Sequence, residues 1–338
     1  MNLSEPGSHR RQLLVRWANT LFYGVALALL VGGCASRSAY PLHLRHRAEA
    51  APARSSSGEL ELRILTFNVW GLPAWINGAS PSRYGRIARE LESLDPDVVL
   101  LQEVWTRRAA GVVPRHPTWS VATSAGQPTF FRRNGLIVLS RFAIVGGEFH
   151  PFRTAAFPDS LVRKGALKIT LELPDGRRIN VWNAHLQAGD APAVRRRQID
   201  RLLEWVNRAQ DGQVADVVGG DFNCTPDSVE FETLTRELGP TVNQVSQSGH
   251  FPTYDGLSLR PEAARTLDYI FIRARSGVAP MCAKPRVAFA AEDPGARLSD
   301  HFGLQVSVRL TPPPDSFDPI SPAQTALARF SPPGPGAN

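Results

Sequence analysis

Cysteine is scarce: Cys34, Cys224 and Cys282 are the three in 338 residues. With no Cys-x-x-Cys pair and no Cys/His spacing, nothing supports a structural zinc site. No Gly-x-Ser-x-Gly element occurs, so the chain lacks the nucleophile elbow of serine hydrolases. The apolar run Leu21 to Val31 is too short to read as a membrane-crossing helix, and there is no internal repeat. Acid is in deficit: the net charge of +7 and pI near 9.8 permit an anionic partner such as phosphate, nucleic acid or a membrane surface. The arginines are scattered, however, which reads as a solvated basic surface. The whole chain, 43% hydrophobic and 20% charged, has the composition of a globular protein with a sizeable core.

The ends read as appendages. Arg10, Arg11 and Arg16, the apolar run, and then Gly32-Gly33-Cys34-Ala35-Ser36 describe an export signal over residues 1–33. Cys34 resembles the lipidated residue of a bacterial lipobox, so the expected location is the cell envelope, membrane-anchored or secreted. His9 to Leu14 weakly resembles a twin-arginine signal. Residues 35–59, rich in Ala, Arg and Ser, read as a flexible tether, and 311–338, with Pro312-Pro313-Pro314, as a disordered tail. Cys224 and Cys282 could pair after export or remain separate buried thiols.

Between them, residues 60–310 read as one catalytic domain. Leu60–Phe67, Asp97–Leu101, Asn134–Leu139 and Phe142–Val145 are expected strands, and Arg83–Leu94 a helix stopped by Asp95-Pro96. Glu148–Val162 reads as a loop. Gly165–Leu173 and Arg178–Ala184 form a hairpin around Pro174-Asp175-Gly176, followed by a helix over Ala191–Ala209. Val217 to Asn223 is an apolar strand ending in Gly219-Gly220-Asp221. A helix over Ser228–Leu238 and strands from Thr266 and Ser299 complete an α/β chain of two packed sheets with helices outside.

Polar residues recur at the strand ends: Asn68, Glu103, His185, Asp221, Asn223, Asp268, Asp300 and His301. Each alone suits a turn, a cap or a buried histidine; eight in one context suit a site on a shared rim. Asn68 and Glu103 offer hard oxygen ligands, suited to Mg²⁺ or Mn²⁺. His301 is a natural general base, and an aspartate such as Asp268 on its second nitrogen would fix its tautomer. His185 can donate to a phosphate oxygen. Direct attack by water fits better than a covalent intermediate.

The ordered segments Thr66–Trp70, Gln102–Val104, Gly135–Ser140, Asn183–Leu186, Gly220–Asn223, Leu267–Ile270 and Ser299–His301 resemble the endonuclease/exonuclease/phosphatase family over about residues 60–310. The resemblance implies a four-layer α/β sandwich of two mixed β-sheets flanked by helices. It also implies metal ligation by Asn68 and Glu103 with Asp300 close to the metal, and water and phosphate orientation by Asp221 and Asn223. An acid–base dyad of Asp268 and His301 and a phosphate-facing His185 follow from it too. Asn68-Val-Trp-Gly-Leu-Pro73, Glu103-Val-Trp105, Lys164-Gly165 and His185-Leu-Gln-Ala188 are similar to the neutral sphingomyelinase branch, with Lys164 as a phosphate contact and Gln187 replacing a second histidine. The expected partner is then a phospholipid at a membrane surface, with apolar Trp70, Leu72, Trp75 and Ile76 nearby. Alternatives are a secreted nuclease, for which Arg195-Arg196-Arg197 is the one basic run, a phosphoinositide phosphatase, and a non-catalytic membrane-binding lipoprotein.

Overall fold

The computed structural model describes residues 40–45, 60–115, 118–124, 134–209, 214–242, 244–246, 249–257, 264–275, 281–282, 285–290 and 296–310. The expected export signal, Cys34 and the Pro-rich tail lie outside these. Among the described residues, no helix is long and apolar enough to cross a membrane.

In chain order the strands are β1 (Tyr40–Arg45), β2 (Leu60–Asn68), β3 (Val98–Gln102), β4 (Ser120–Ser124), β5 (Ile137–Ser140), β6 (Ala143–Pro151), β7 (Gly165–Glu172), β8 (Arg178–His185) and β9 (Ala215–Asp221). They continue with β10 (Gln244–Ser246), β11 (Gly249–His250), β12 (Asp268–Ala274), β13 (Met281–Cys282), β14 (Arg286–Ala288) and β15 (Gly303–Leu310). The α-helices are α1 (Ala74–Asn77), α2 (Arg83–Leu94), α3 (Pro192–Arg208) and α4 (Val229–Leu238). The main pairing order is β12-β9-β8-β7-β6-β1-β4-β5-β3-β2-β15-β13, with β14 also on β15.

The path folds into two halves joined through β1. Their inner faces share one core, with Leu62, Ile64, Leu100 and Val306 from one half and Leu167, Ile169, Val181 and Val217 from the other. α2 covers the outer face of the β2–β3 half through Ile87 and Leu91. α3 and α4 cover the other outer face through Ile199, Leu202, Phe231 and Leu234. This is the four-layer sandwich expected from the sequence.

Two expectations change. Residues 40–45 of the expected tether are a strand: Tyr40, Leu42 and Leu44 alternate, as a half-buried strand requires, and pack against the shared core. β6 also runs on to Pro151, inside the expected loop, because Phe149 is fully buried and pairs with Leu167. Cys224 is a free buried thiol, so it does not pair with Cys282.

Beneath the rim, a polar clasp ties the halves together. Gln102 Nε2 donates to Asn183 Oδ1 (2.7 Å), and Asn183 Nδ2 donates to the carbonyls of Leu101 (2.9 Å) and Ile137 (3.0 Å). All these groups are buried, so the bonds fix register between sheets where an apolar contact could slide.

Candidate active site

Strand direction gathers the site. β2 and β3 are parallel with Asn68 opposite Gln102, and β8 and β9 are parallel with His185 opposite Asp221. Parallel neighbours end at the same rim. Asp268 opens β12 opposite Asp221, Gly165 opens β7 opposite His185, and His301 stands just before β15, bridged to Tyr254. Beyond the strand ends Trp70, Glu103 and Asn223 take left-handed backbone, with φ of 49°, 58° and 51°. Three non-glycine residues in that region at one rim mark a strained, closely determined site.

Asn68 lies at the centre. Its Nδ2 donates to Asp221 Oδ2 (2.9 Å) and Glu103 Oε1 (3.2 Å), while its Oδ1 accepts from Trp70 N (3.0 Å). Here it links carboxylates; the ligand role expected of it would draw on Oδ1. Glu103 Oε2 also accepts from Trp105 Nε1 (3.3 Å). Ser299 Oγ donates to the Asn68 carbonyl (2.7 Å) and accepts from His301 N (3.2 Å), tying the two ends of the rim.

His301 Nδ1 is 2.8 Å from Asp268 Oδ2, the expected dyad, and its Nε2 faces Asp221 Oδ2 at 3.7 Å. Asp221, Asp268 and His301 present ligand-type atoms within 4.8 Å of one another. With Nδ1 committed to Asp268, however, the trio is a proton-handling array. His185 is buried, with Nε2 3.6 Å from Asp221 Oδ2 and 3.9 Å from Glu103 Oε1. Neither of its ring nitrogens has a hydrogen-bond partner among the described residues.

Lys164 and Asn223, both expected to contact the phosphate, are anchored to the same carbonyl, that of Leu186. Lys164 Nζ donates to Leu186 O (2.8 Å) and pairs with Asp159 Oδ2 (2.7 Å), which also accepts from Ala188 N (2.7 Å). Its charge still acts on Glu103, His185 and Asp221. Asn223 donates from its backbone to Asp221 Oδ1 (2.9 Å) and from Nδ2 to Leu186 O (3.1 Å). Gln187 is buried and accepts from Ala156 N (2.7 Å), so it pins the loop before Lys164.

The electrostatics are those of excess carboxylate. Burial raises Glu103; burial and then Asp268 raise Asp221 to about 6; burial, with help from Glu103, raises Asp300 to about 7. Burial alone would lower His301, but Asp268, Asp221 and Asp300 reverse this and bring it to about 10. Burial, then Lys164 and His301, hold His185 well below its ordinary value, so it is neutral. Hard oxygen donors that repel one another in a protected rim fit a hard divalent cation.

The profile of the Endonuclease/Exonuclease/phosphatase family matches residues 65–301. The chain belongs to the endonuclease/exonuclease/phosphatase family. Among its relatives, a putative neutral sphingomyelinase of Drosophila melanogaster is 25% identical over 285 residues, covering 78% of this chain and 64% of that protein. An inositol phosphosphingolipids phospholipase C of Schizosaccharomyces pombe is 29% identical over 188 residues, 52% of this chain and 44% of that protein. The chain thus spans less than two thirds of either. A Staphylococcus aureus beta toxin variant with bound magnesium ions superposes with a TM-score of 0.55 at 20% identity, covering 73% of this chain and 99% of that one. This likeness is one of fold. A divalent-metal site fits the donors of the rim.

Several site residues escape a reading of the sequence. Asp159, Thr253 and Tyr254 stand outside any motif. Thr253 Oγ1 accepts from the backbone of Leu267 and Asp268 (both 3.0 Å), and the Tyr254 ring packs edge-on against His301 at 4.8 Å. Arg83 did leave a signal, because it shares the i, i+4, i+8 face of α2 with Ile87 and Leu91.

Proposed function

We propose that the protein is a Mg²⁺-dependent phosphodiesterase that hydrolyses sphingomyelin to ceramide and phosphocholine. The observation that carries the reading is the buried His301–Asp268 dyad, its Nε2 facing a rim crowded with carboxylates. The sphingolipid names of the two relatives support the substrate class. Glu103 and Asp300, with Asn68, would hold the ion, which when bound offsets the charge gathering on the phosphate. In the form of His301 protonated on Nδ1 alone, Nε2 takes a proton from water as the water oxygen bonds to phosphorus. The bond from phosphorus to the ceramide oxygen breaks in line, that oxygen takes a proton from solvent, and His301 returns the proton it accepted to solvent. Asp268 holds Nδ1–H so that Nε2 is the accepting nitrogen. Neutral His185 donates to a phosphate oxygen, and Lys164 adds positive potential from beside Asp159.

A bilayer is the setting that the surface favours. Large apolar side chains stand exposed on segments leaving the catalytic rim: Trp75 at 75% and Ile76 in α1 after β2, Phe157 at 50% before Lys164, Val229 after Asn223, and Leu257 after Tyr254. Apolar groups around a charged centre suit insertion at a headgroup boundary. Export with lipidation at Cys34 would place the enzyme there. The nuclease reading loses its basic run. Arg195 is buried, donating to Gly189 O (2.5 Å) and facing Glu230 (3.6 Å), so only Arg196 and Arg197 of the three are exposed.

Purified protein with sphingomyelin vesicles and Mg²⁺ should release phosphocholine, and chelator should stop it. Plasmid nicking without phosphocholine release would refute the assignment. Trp75→Ala should lower turnover on vesicles several-fold and leave detergent-dispersed substrate unaffected; equal loss on both would refute the bilayer role.

A further inference from the structure

Arg83 is 5% exposed, at the first position of α2, and touches none of the groups given a chemical role above. Its guanidinium fork reaches two loops at once. Nη1 donates to the carbonyls of Val69 (2.6 Å) and Leu298 (2.5 Å), and Nη2 to the carbonyl of Trp70 (2.6 Å) and to Tyr84 Oη (3.1 Å). Val69 and Trp70 directly follow Asn68. Leu298 directly precedes Ser299-Asp300-His301. The segments are more than two hundred residues apart in sequence, and each carries one corner of the rim. The guanidinium carbon lies 4.4 Å from the Tyr84 ring centroid and 5.9 Å from that of Trp70, so its plane is held as well as its donors.

A buried guanidinium is costly to desolvate, and an apolar side chain would anchor α2 to the core more cheaply. Carbonyls recruited from two loops call for a planar, multi-donor group instead, which a lysine cannot imitate. We propose that Arg83 is a positioning residue that fixes the spacing between the Asn68–Glu103 corner and the Asp300–His301 corner. Ser299 Oγ on the Asn68 carbonyl is the second fastening of the same joint, at 2.7 Å. The kinetic arm of the test rests on the hydrolase reading; the metal-binding arm does not.

The test compares Arg83→Lys with Ile87→Ala in the full chain. Ile87 lies one turn along the same face of α2 and is wholly buried in the apolar cluster beneath the helix, so its truncation loosens the packing while leaving every hydrogen bond of the guanidinium in place. Both variants are assayed well below their melting temperatures. Mn²⁺ binding is read by electron paramagnetic resonance, and kcat and KM on sphingomyelin mixed micelles. Arg83→Lys should lose at least tenfold in kcat with KM within twofold and bind Mn²⁺ at least threefold more weakly. Ile87→Ala should keep both while melting lower. Arg83→Lys with kcat and Mn²⁺ affinity within twofold of the parent, or equal losses in Ile87→Ala, would overturn the proposal. If Arg83→Lys does not fold, Arg83→Gln, which can still donate to one loop, takes its place under the same criteria. If the parent binds Mn²⁺ but hydrolyses nothing, the functional reading fails and the Mn²⁺ comparison alone decides the role of Arg83.

Discussion

Asp268→Asn separates proton handling from folding. Asp268 is buried at the start of β12, and the bonds to Thr253 Oγ1 from its own N–H and that of Leu267 give it a fixed position. In the native site Nδ1–H of His301 donates to Oδ2 at 2.8 Å, leaving Nε2 to accept a proton. Asparagine matches the shape, but an amide N–H directed at Nδ1 favours the tautomer protonated on Nε2, which is not a base. The expected loss in kcat is about a hundredfold to ten-thousandfold. Stability should respond in a pH-dependent way. The folded protein raises His301 from 6.5 to about 10, which corresponds to on the order of 5 kcal/mol shared among Asp268, Asp221 and Asp300. A raised histidine contributes fully below its unfolded value and loses that contribution as pH rises through the folded one. Removing Asp268 also relieves its repulsion of Asp221, which offsets part of the loss. In chelator, the gap in urea midpoint between parent and variant should therefore be widest near pH 6 and narrow toward pH 10. A gap that widens with pH, or kcat within tenfold of the parent, would refute the dyad.

Metal affinity should follow the carboxylates. Asp221 is raised to about 6 and Asp300 to about 7, and the proton on Asp300 is one that a cation held there must displace, so apparent Mg²⁺ affinity from melting shifts should fall about tenfold per pH unit below 7; a flat profile would contradict the assignment. For the same groups, raised carboxylates make the metal-free protein lose stability as pH climbs from about 4 to 7, so Mg²⁺ should stabilise it more at pH 8 than at pH 6. Lys164→Ala leaves Asp159 buried without its cation and should cost about 3–5 kcal/mol in urea unfolding, with part recovered by adding Asp159→Asn; a cost below about 1 kcal/mol would show the pair to be weak. Gly220→Ala would put a Cβ 2.0 Å from the Ala184 carbonyl at φ +136° and should prevent folding or cost more than about 4 kcal/mol, whereas Gly78→Ala, with open space around it, should cost about 1 kcal/mol.

The residues that touch the rim were legible because strand ends carry their own punctuation. Asn68, Glu103, His185, Asp221, Asp268 and His301 each follow or open an apolar run, and parallel pairing places those ends together. What holds them was harder to see. β1 hides its Tyr40-Leu42-Leu44 alternation in a stretch whose flanks look like a tether, and the five-residue β4 is too short to announce itself. The Gln102–Asn183 clasp, the Asp159–Lys164 pair and the reach of Arg83 join segments far apart in sequence, which no local pattern encodes. Orientation is a third limit: a sequence can place an asparagine at position 68 but not say which amide atom meets Glu103.

In the proposed reaction His301, held by Asp268 among buried carboxylates, drives metal-dependent cleavage of a sphingolipid phosphodiester. Its most direct test is phosphocholine release from sphingomyelin by the parent and by His301→Ala, each with Mg²⁺ and with chelator. Release is expected from the parent with Mg²⁺, none in chelator, and a loss of at least about a hundredfold in a folded His301→Ala that still binds the metal. Release that survives chelator, or that His301→Ala performs at near-parent rate, would contradict that reaction.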